Sequence, residues 1–314
     1  MRELSNLDVD VVKFQSFSAD DLVTEYAASA AYQRKGQFSH STQYEMLKSL
    51  ELRDNDYLHL FQYCCSCNVE FMSTPFSQKW LEKLLDLGMK RIKIPSGEIT
   101  NIPYLERLGE CGRSVIMSTG MSSLSDVEHA LTALTSGGLS SSDITLLHCT
   151  SNYPAPIESA NLLAMCTLKT VFGCPVGYSD HTKSMISGAI AVALGASLIE
   201  RHVTYDCNAD GPDHSSSLDI EQFSEYVQFI RHAETLLGSS VKEPYVAELD
   251  TAAVARKSIV AARDLSAGTL ITADSLAYKR PGNGLSPAMY KELIGRILIT
   301  GVAKDEQICF DHIK

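Results

Sequence analysis

The chain has 314 residues, a formal net charge of −11, 45 % hydrophobic residues and a mean hydropathy of −0.03. That is enough chain to bury one large core and a small second one, and no apolar run reaches the roughly 18–20 residues of a membrane helix. The polar, acidic opening MRELSNLDVD does not read as a secretory leader, and the negative charge excludes the basic face of a nucleic-acid binder.

In chain order, runs rich in Val, Ile, Leu or Phe that end in polar residues predict β-strands over 9–17, 70–76, 91–98, 114–120, 144–151, 174–180 and 198–204. Helical spacing fills the stretches between them. SQKWLEKLLDLGM sets Trp80, Leu81, Leu84 and Leu85 on one side. SLSDVEHALTALTSGG opens on a capping pattern, Ser125 with Glu128 three residues on, and closes on Gly137 and Gly138. SMISGAIAVALGA is small and apolar, as suits a helix lying on a sheet. The CCSC run (Cys64, Cys65, Cys67) falls at the end of an amphipathic helix. The nine cysteines lack zinc spacing, and inert thiols in a reducing cytosol are expected.

Strict alternation of strand and helix means a parallel sheet with covering helices, and its natural closure is a (β/α)8 TIM-type barrel. The count gives seven strands, one short of closure. A barrel lacking one stave exposes two sheet edges, so the first β/α unit is missing or truncated, or something else fills the gap. After Leu237 the helical spacing gives way to short β-prone runs with turns at 267–268 and 281–284. The expected organisation is a barrel over 1–240, a linker over 241–251 and a small β-rich domain over 252–314.

In such a barrel the last residues of each strand face one site. They are Lys13 and Gln15; Ser73 and Thr74; Lys93, Ser96 and Glu98; Ser118 and Thr119; His148, Thr150, Ser151 and Tyr153; Ser179, Asp180 and His181; Glu200 and His202; and, just beyond, Asp213 and His214. Two lysines in a ring of hydroxyls suit phosphate, with point charge from Lys and short donors from Ser and Thr. A lysine inside a β run, as in VVKFQ and RIKIPSGE, costs stability unless an anion compensates it.

His181 and His202 end adjacent predicted strands, so their rings can meet. Two imidazoles without a thiolate suggest an open site for Mn²⁺ or Mg²⁺ completed by water and substrate. Zinc would want a further strong ligand. Asp180 has two readings, orienting an imidazole from behind or capping the helix that follows. Glu98 and Asp213 are candidate acid/base groups, with plain turn residues as the alternative for each. His148 is expected to pack inside the barrel as a structural residue.

Nine segments occur in register: VKFQSF, EFMSTPF, KIPSGEITNIPYLE, VIMSTGMSSLSDVEHAL, LLHCTSNYPAP, VGYSDHT, GAIAVALGASLIERHVTYD, GPDHSSSL and KRPGNG. Together they resemble the sialic acid synthase family, N-acetylneuraminate synthase with its legionaminic and pseudaminic acid relatives. The resemblance implies a barrel followed by an antifreeze-like SAF domain, in a domain-swapped homodimer of the cytoplasm. It implies condensation of phosphoenolpyruvate with an N-acetylmannosamine-type aldose, giving a nonulosonic acid and phosphate. Lys13, Thr74, Lys93, Ser96, Ser118, Ser151, Tyr153 and Ser179 would hold phosphoenolpyruvate, with Ser151 standing where relatives carry another polar residue. His181 and His202 would bind the divalent metal. Glu98 and Asp213 would face the sugar, and Arg280 would reach the sugar of the other subunit. The family also opens with a strand carrying a Glu and an Asn-His pair, which this chain lacks. That gap coincides with the stave missing from the count, and it sets up an alternative: a truncated, catalytically impaired paralogue that only binds ligand or dimerises.

Overall fold

The computed structural model describes residues 1–28 and 42–314, and these fall into two compact units, Met1–Gly238 and Ser239–Lys314. The first unit holds the predicted strands, in order β1 (Val11–Ser16), β2 (Glu70–Pro75), β3 (Arg91–Ile94), β4 (Ser114–Ser118), β5 (Ile144–Cys149), β6 (Val176–Asp180) and β7 (Ile199–Arg201). All pair in parallel: β1 with β2, and β3 through β7 in sequence. Arg91 on β3 spans to Glu70 on β2 by a two-pronged ion pair with both N–O distances at 2.9 Å. The result is an open parallel barrel wall.

Each helix follows from local sequence. Short α1 (Arg2–Ser5) precedes β1, and α2 (Ala19–Leu22), α3 (Gln43–Leu50) and α4 (Asp54–Ser66) lie between β1 and β2. After β2, α5 (Gln78–Leu87) starts where Ser77 Oγ accepts from the Trp80 N–H and stops at Gly88, whose φ of 104° is the left-handed region. It buries Trp80, Leu81 and Leu84. Next come α6 (Ile102–Gly109) and α7 (Leu124–Ser136). The cap of α7 is not Ser125: Ser123 Oγ accepts from the Asp126 N–H, and the Asp126 carboxylate accepts from the Ser123 N–H at 2.8 Å. Of the two overlapping boxes, the earlier Ser-x-x-Asp is the one that satisfies the free N–H groups of the first turn. Gly109 and Gly137 let α6 and α7 cross with backbones touching; a Cβ on Gly137 would come within 2.6 Å of Gly109. The layer closes with α8 (Leu163–Phe172), α9 (Ser187–Ala193) and α10 (Ile220–Leu237).

The main core lies between strands and helices, where Ile92, Ile94, Val115, Met117, Leu146, Val176 and Tyr178 meet the helical layer. The period of two sends the alternate residues inward: Met72, Ile116 and Leu147 form a separate small cluster with Val11 and Leu198. The same alternation corrects the expectation for His148. Leu147 points inward, so His148 faces outward, its Nε2 at 2.8 Å from the Ala160 carbonyl oxygen and its ring stacked with Tyr178 at 6.1 Å.

Among the described residues, β1 pairs only with β2 and β7 only with β6. Between the two free edges is a cavity of about 610 Å³, lined by Val11, Val12 and Lys13 on one side and Ile199, Glu200 and Arg201 on the other. It runs in to Met72 and Ile116.

Asp180 settles one open reading. Its carboxylate accepts from the Thr182 N–H and hydroxyl, from the hydroxyl of Ser187 at the start of α9, and from Tyr226 OH on α10 at 2.8 Å. Arg201 Nη1 lies 2.7 Å away, a contact carried by charge more than by a directed hydrogen bond. Asp180 therefore fastens the β6–α9 turn and does not orient an imidazole. It is fully buried, so Asp180→Asn strands the Arg201 guanidinium. A loss of about 3 kcal/mol in unfolding free energy by urea titration is expected, and a variant as stable as the parent would contradict this role.

The second unit is small and β-rich, with β8 (Ser258–Ala261) antiparallel to β9 (Leu276–Lys279) and isolated bridges such as Leu265 to Val302. Ile259, Leu265, Ile271, Leu293, Leu298 and Ile308 form its core. It carries α11 (Leu249–Ala255) and α12 (Tyr290–Leu293). The 241–251 stretch thus contains a short 3-10 turn, Val246–Glu248, and the start of α11.

Candidate active site at the strand ends

Inward-facing residues from five strands meet at the C-terminal ends. Lys93, on β3, is 3 % exposed, and its Nζ donates to Ser118 Oγ at 2.6 Å and to the Ile94 carbonyl at 2.9 Å. Its strand stops at Ile94 because Pro95 cannot donate to the ladder, and the chain turns through Ser96–Glu98. Lys13 Nζ on β1 lies 3.5 Å from Glu200 Oε2, and Lys93 Nζ lies 4.0 Å from the same oxygen. The other carboxylate oxygen, Glu200 Oε1, accepts from Ser179 Oγ at 2.7 Å. Burial pushes the Lys93 ammonium down to about 8, against the pull of Glu200. Burial works to raise the Glu200 carboxyl, but Lys13, then Lys93 and the Ser179 hydroxyl, hold it far below the usual carboxylate range.

The histidines sit beside this cluster. The His181 and His202 ring centroids are 5.6 Å apart and nearly perpendicular, at 78°. His181 Nδ1 lies 2.8 Å from the Thr150 carbonyl oxygen, which only accepts, so Nδ1 carries the proton and Nε2 keeps its lone pair. Ser179 Oγ is 3.3 Å from that Nε2. Burial lowers both imidazoles; His202 is pushed down to about 3, with the Lys13 and His181 charges adding to it. Both rings are therefore neutral at ordinary pH. Tyr153 packs over His181 at 4.2 Å and edge-on to His202 at 5.5 Å. Asp213 Oδ2 is 3.7 Å from His202 Nδ1, and burial raises its carboxyl. Among the described residues, no group of three or more His, Cys, Asp or Glu side chains is arranged to hold a metal ion.

A second patch adjoins the lysines. Ser96 Oγ accepts from the Gly120 N–H at 3.0 Å and touches Cys149 Sγ at 3.3 Å. Ser151 closes on Gly120 so tightly that a Cβ there would collide with its hydroxyl. Cys149 is the register neighbour of Ser179. Thr74 is buried at the end of β2 opposite Gln15.

Two expected residues stand apart. The Glu98 carboxylate accepts from Asn101 Nδ2 at 2.7 Å on the turn after β3, and among the described residues no contact joins it to the lysines or imidazoles. Arg280 belongs to the second unit, in the turn after β9. Conversely, the sequence reading names Glu200 among the strand-end residues without giving it a chemical role, and Cys149 and Gly120 do not enter it as site residues. The signal for Glu200 was its position on β7, two residues before His202, which follows the strand.

Fold and site define a parallel β/α barrel whose cationic, hydroxyl-lined pocket adjoins a neutral imidazole pair. The chain belongs to the NeuB family, whose model matches residues 2–242, and carries a SAF domain over 256–314. It is 45 % identical over 307 residues to the N,N'-diacetyllegionaminic acid synthase of Legionella pneumophila, covering 97 % of this chain and 86 % of that protein. It is 29 % identical over 310 residues to the N-acetylneuraminate-9-phosphate synthase of Homo sapiens, covering 98 % and 85 %. The crystal structure of N-acetylneuraminic acid synthetase from Leptospira borgpetersenii superposes with a TM-score of 0.68 at 30 % identity, covering 80 % of this chain and 82 % of that one. The architecture is thus the TIM-barrel-like fold of this family with a C-terminal SAF domain.

Proposed function

We propose that this chain condenses phosphoenolpyruvate with an N-acetylmannosamine-type aldose and water, giving a nonulosonic acid and phosphate. The observation that carries the reading is the convergence of Lys13 and Lys93 on one point beside His181 and His202. The named activities of the Legionella and human relatives support it.

Lys13 and Lys93 neutralise the phosphoryl group, which leaves with its bridging oxygen by C–O cleavage; Ser118, whose Oγ accepts from Lys93, keeps its own hydroxyl proton to donate, while Ser179 donates to Glu200. Ser96, Ser151 and the Gly120 N–H form the adjoining wall for the carboxylate end, with Thr74 and Tyr153 completing the pocket. His181 and His202 fit a divalent cation, Mn²⁺ or Mg²⁺: both are neutral, and His181 Nε2 offers its lone pair. When bound, such an ion polarises the aldehyde oxygen of the sugar as a Lewis acid. Asp213 is the group this reading assigns to proton exchange on the sugar side, a role its carboxyl, raised by burial, supports. Glu98 is the second proton-handling group of this reading, and Arg280 the sugar contact supplied across a domain-swapped homodimer, both resting on the family likeness. A cytoplasmic location belongs to the same family-based reading; among the described residues no helix is long and apolar enough to cross a membrane.

The slot between β1 and β7 favours a second reading, a chain that keeps the ligand pocket without turnover. Phosphate release measured with phosphoenolpyruvate, Mn²⁺ and a panel of aldoses tests the two. Release requiring both substrates supports the synthase. Calorimetric binding of phosphoenolpyruvate with no product mass supports the binding protein.

The pocket also fixes a pH dependence. Lys93 has a folded value of about 8 against an ordinary 10.5, so between these pH values the unfolded chain holds more protons and stability rises with pH. Anion binding needs the charged ammonium and runs the other way. The dissociation constant for phosphoenolpyruvate should be flat at neutral pH and rise as pH passes about 8, read by calorimetry. A flat profile through about pH 9.5 would contradict it.

A further inference from the structure

We infer that Glu200 is the positioning residue of the anion pocket, a built-in counter-charge that holds Lys13 and Lys93 on one point until the phosphoryl group takes its place. The inference rests on the phosphoenolpyruvate reading above and deepens it by naming what organises the pocket.

Register comes first. Glu200 pairs with Ser179 across β6 and β7, so both side chains point inward from one level of the barrel. Ser179 fixes one carboxylate oxygen at 2.7 Å. The other faces both ammonium groups, at 3.5 and 4.0 Å. One oxygen between two cations from different strands marks the position a phosphoryl oxygen would take. Those distances exceed the roughly 2.7–2.9 Å of a committed charge-assisted hydrogen bond, so the carboxylate orients the lysines without locking them. The other partners of Lys93, Ser118 Oγ and the Ile94 carbonyl, are neutral. The charged or titratable groups acting on it are Glu200 from β7, Lys13 from β1 and Cys149 from β5. Of these, Glu200 gives the ammonium its largest support, Cys149 a smaller one, and Lys13 opposes it; without Glu200 the buried lysine is disfavoured further as a cation.

The inference has an unusual sign. Glu200→Gln removes a negative charge from an anion site, which bare Coulomb attraction says should tighten anion binding. A positioning role says the reverse. The test measures phosphoenolpyruvate and, separately, inorganic phosphate by calorimetry in EDTA, so that the imidazole pair contributes no metal. Glu200→Gln should raise both dissociation constants by about tenfold or more and KM more than kcat, with Glu200→Asp recovering part of the loss. Its basic limb should also begin at lower pH than the parent's. Ser179→Ala, which frees the carboxylate from its anchor, should move the constants in the same direction by less. A folded Glu200→Gln that binds either anion as tightly as the parent, or tighter, overturns the inference; should that variant not fold, Glu200→Asp and Ser179→Ala at parental affinity overturn it. If the parent binds phosphate with the expected Glu200 dependence but ignores phosphoenolpyruvate, the functional reading fails and the inference stands. If the parent binds neither anion, both fail.

Discussion

Lys93→Met is expected to cut kcat/KM for phosphoenolpyruvate by about a thousandfold while leaving the melting temperature within a few degrees of the parent. The lysine is 3 % exposed, and burial outweighs the pull of Glu200 on its charge, so the empty fold gains little from keeping it ionised there. Methionine has similar length and removes only the ammonium. Glu200 keeps Lys13 and Ser179 as partners, so the substitution leaves no bare buried charge behind. Steady-state kinetics paired with a thermal melt separates the outcomes. Lost turnover in a stable protein marks a residue retained for its ligand. Loss accompanied by collapse of the fold would mark a structural lysine and remove the pocket from the account.

Replacing both imidazoles should have an effect of the same order at a different point. His181→Ala with His202→Ala is expected to lower phosphate release by about a thousandfold and to abolish Mn²⁺ binding measured by electron paramagnetic resonance. Binding of phosphoenolpyruvate in EDTA should survive within a few-fold, because Lys93 and Ser118 meet each other without help from either ring. Retention of the Mn²⁺ signal in the double variant would mean that the cation, and the chemistry argued from it, sits elsewhere.

The strand order and the residues facing the pocket were legible because a period of two is written into each apolar run, and parallel strands of one barrel end at one face. The ends were less legible. β3 stops at Pro95, and β7 is only three residues long, having a ladder partner on one side alone among the described residues. His148 was misplaced by a single step of the alternation in ITLLHC, with Leu147 taking the inward position. Asp180 follows Ser179, so when the serine faces in, the acid must face out toward Ser187 and Tyr226. Ser123 outcompeted Ser125 as a cap because two overlapping boxes occur within six residues, and local pattern does not rank them. Glu200 was visible as an acid near a histidine, but its partners Lys13 and Lys93 come from distant strands, and only closure of the wall brings them together.

The most direct measurement of the central claim uses phosphoenolpyruvate labelled with ¹⁸O at its bridging oxygen, incubated with the protein, Mn²⁺ and N-acetylmannosamine-type aldoses, with products read by mass spectrometry. The account expects label in inorganic phosphate, formed only when an aldose is present, together with a nonulosonic acid of the summed mass. Label kept in the keto acid, or phosphate released without any sugar, would contradict it.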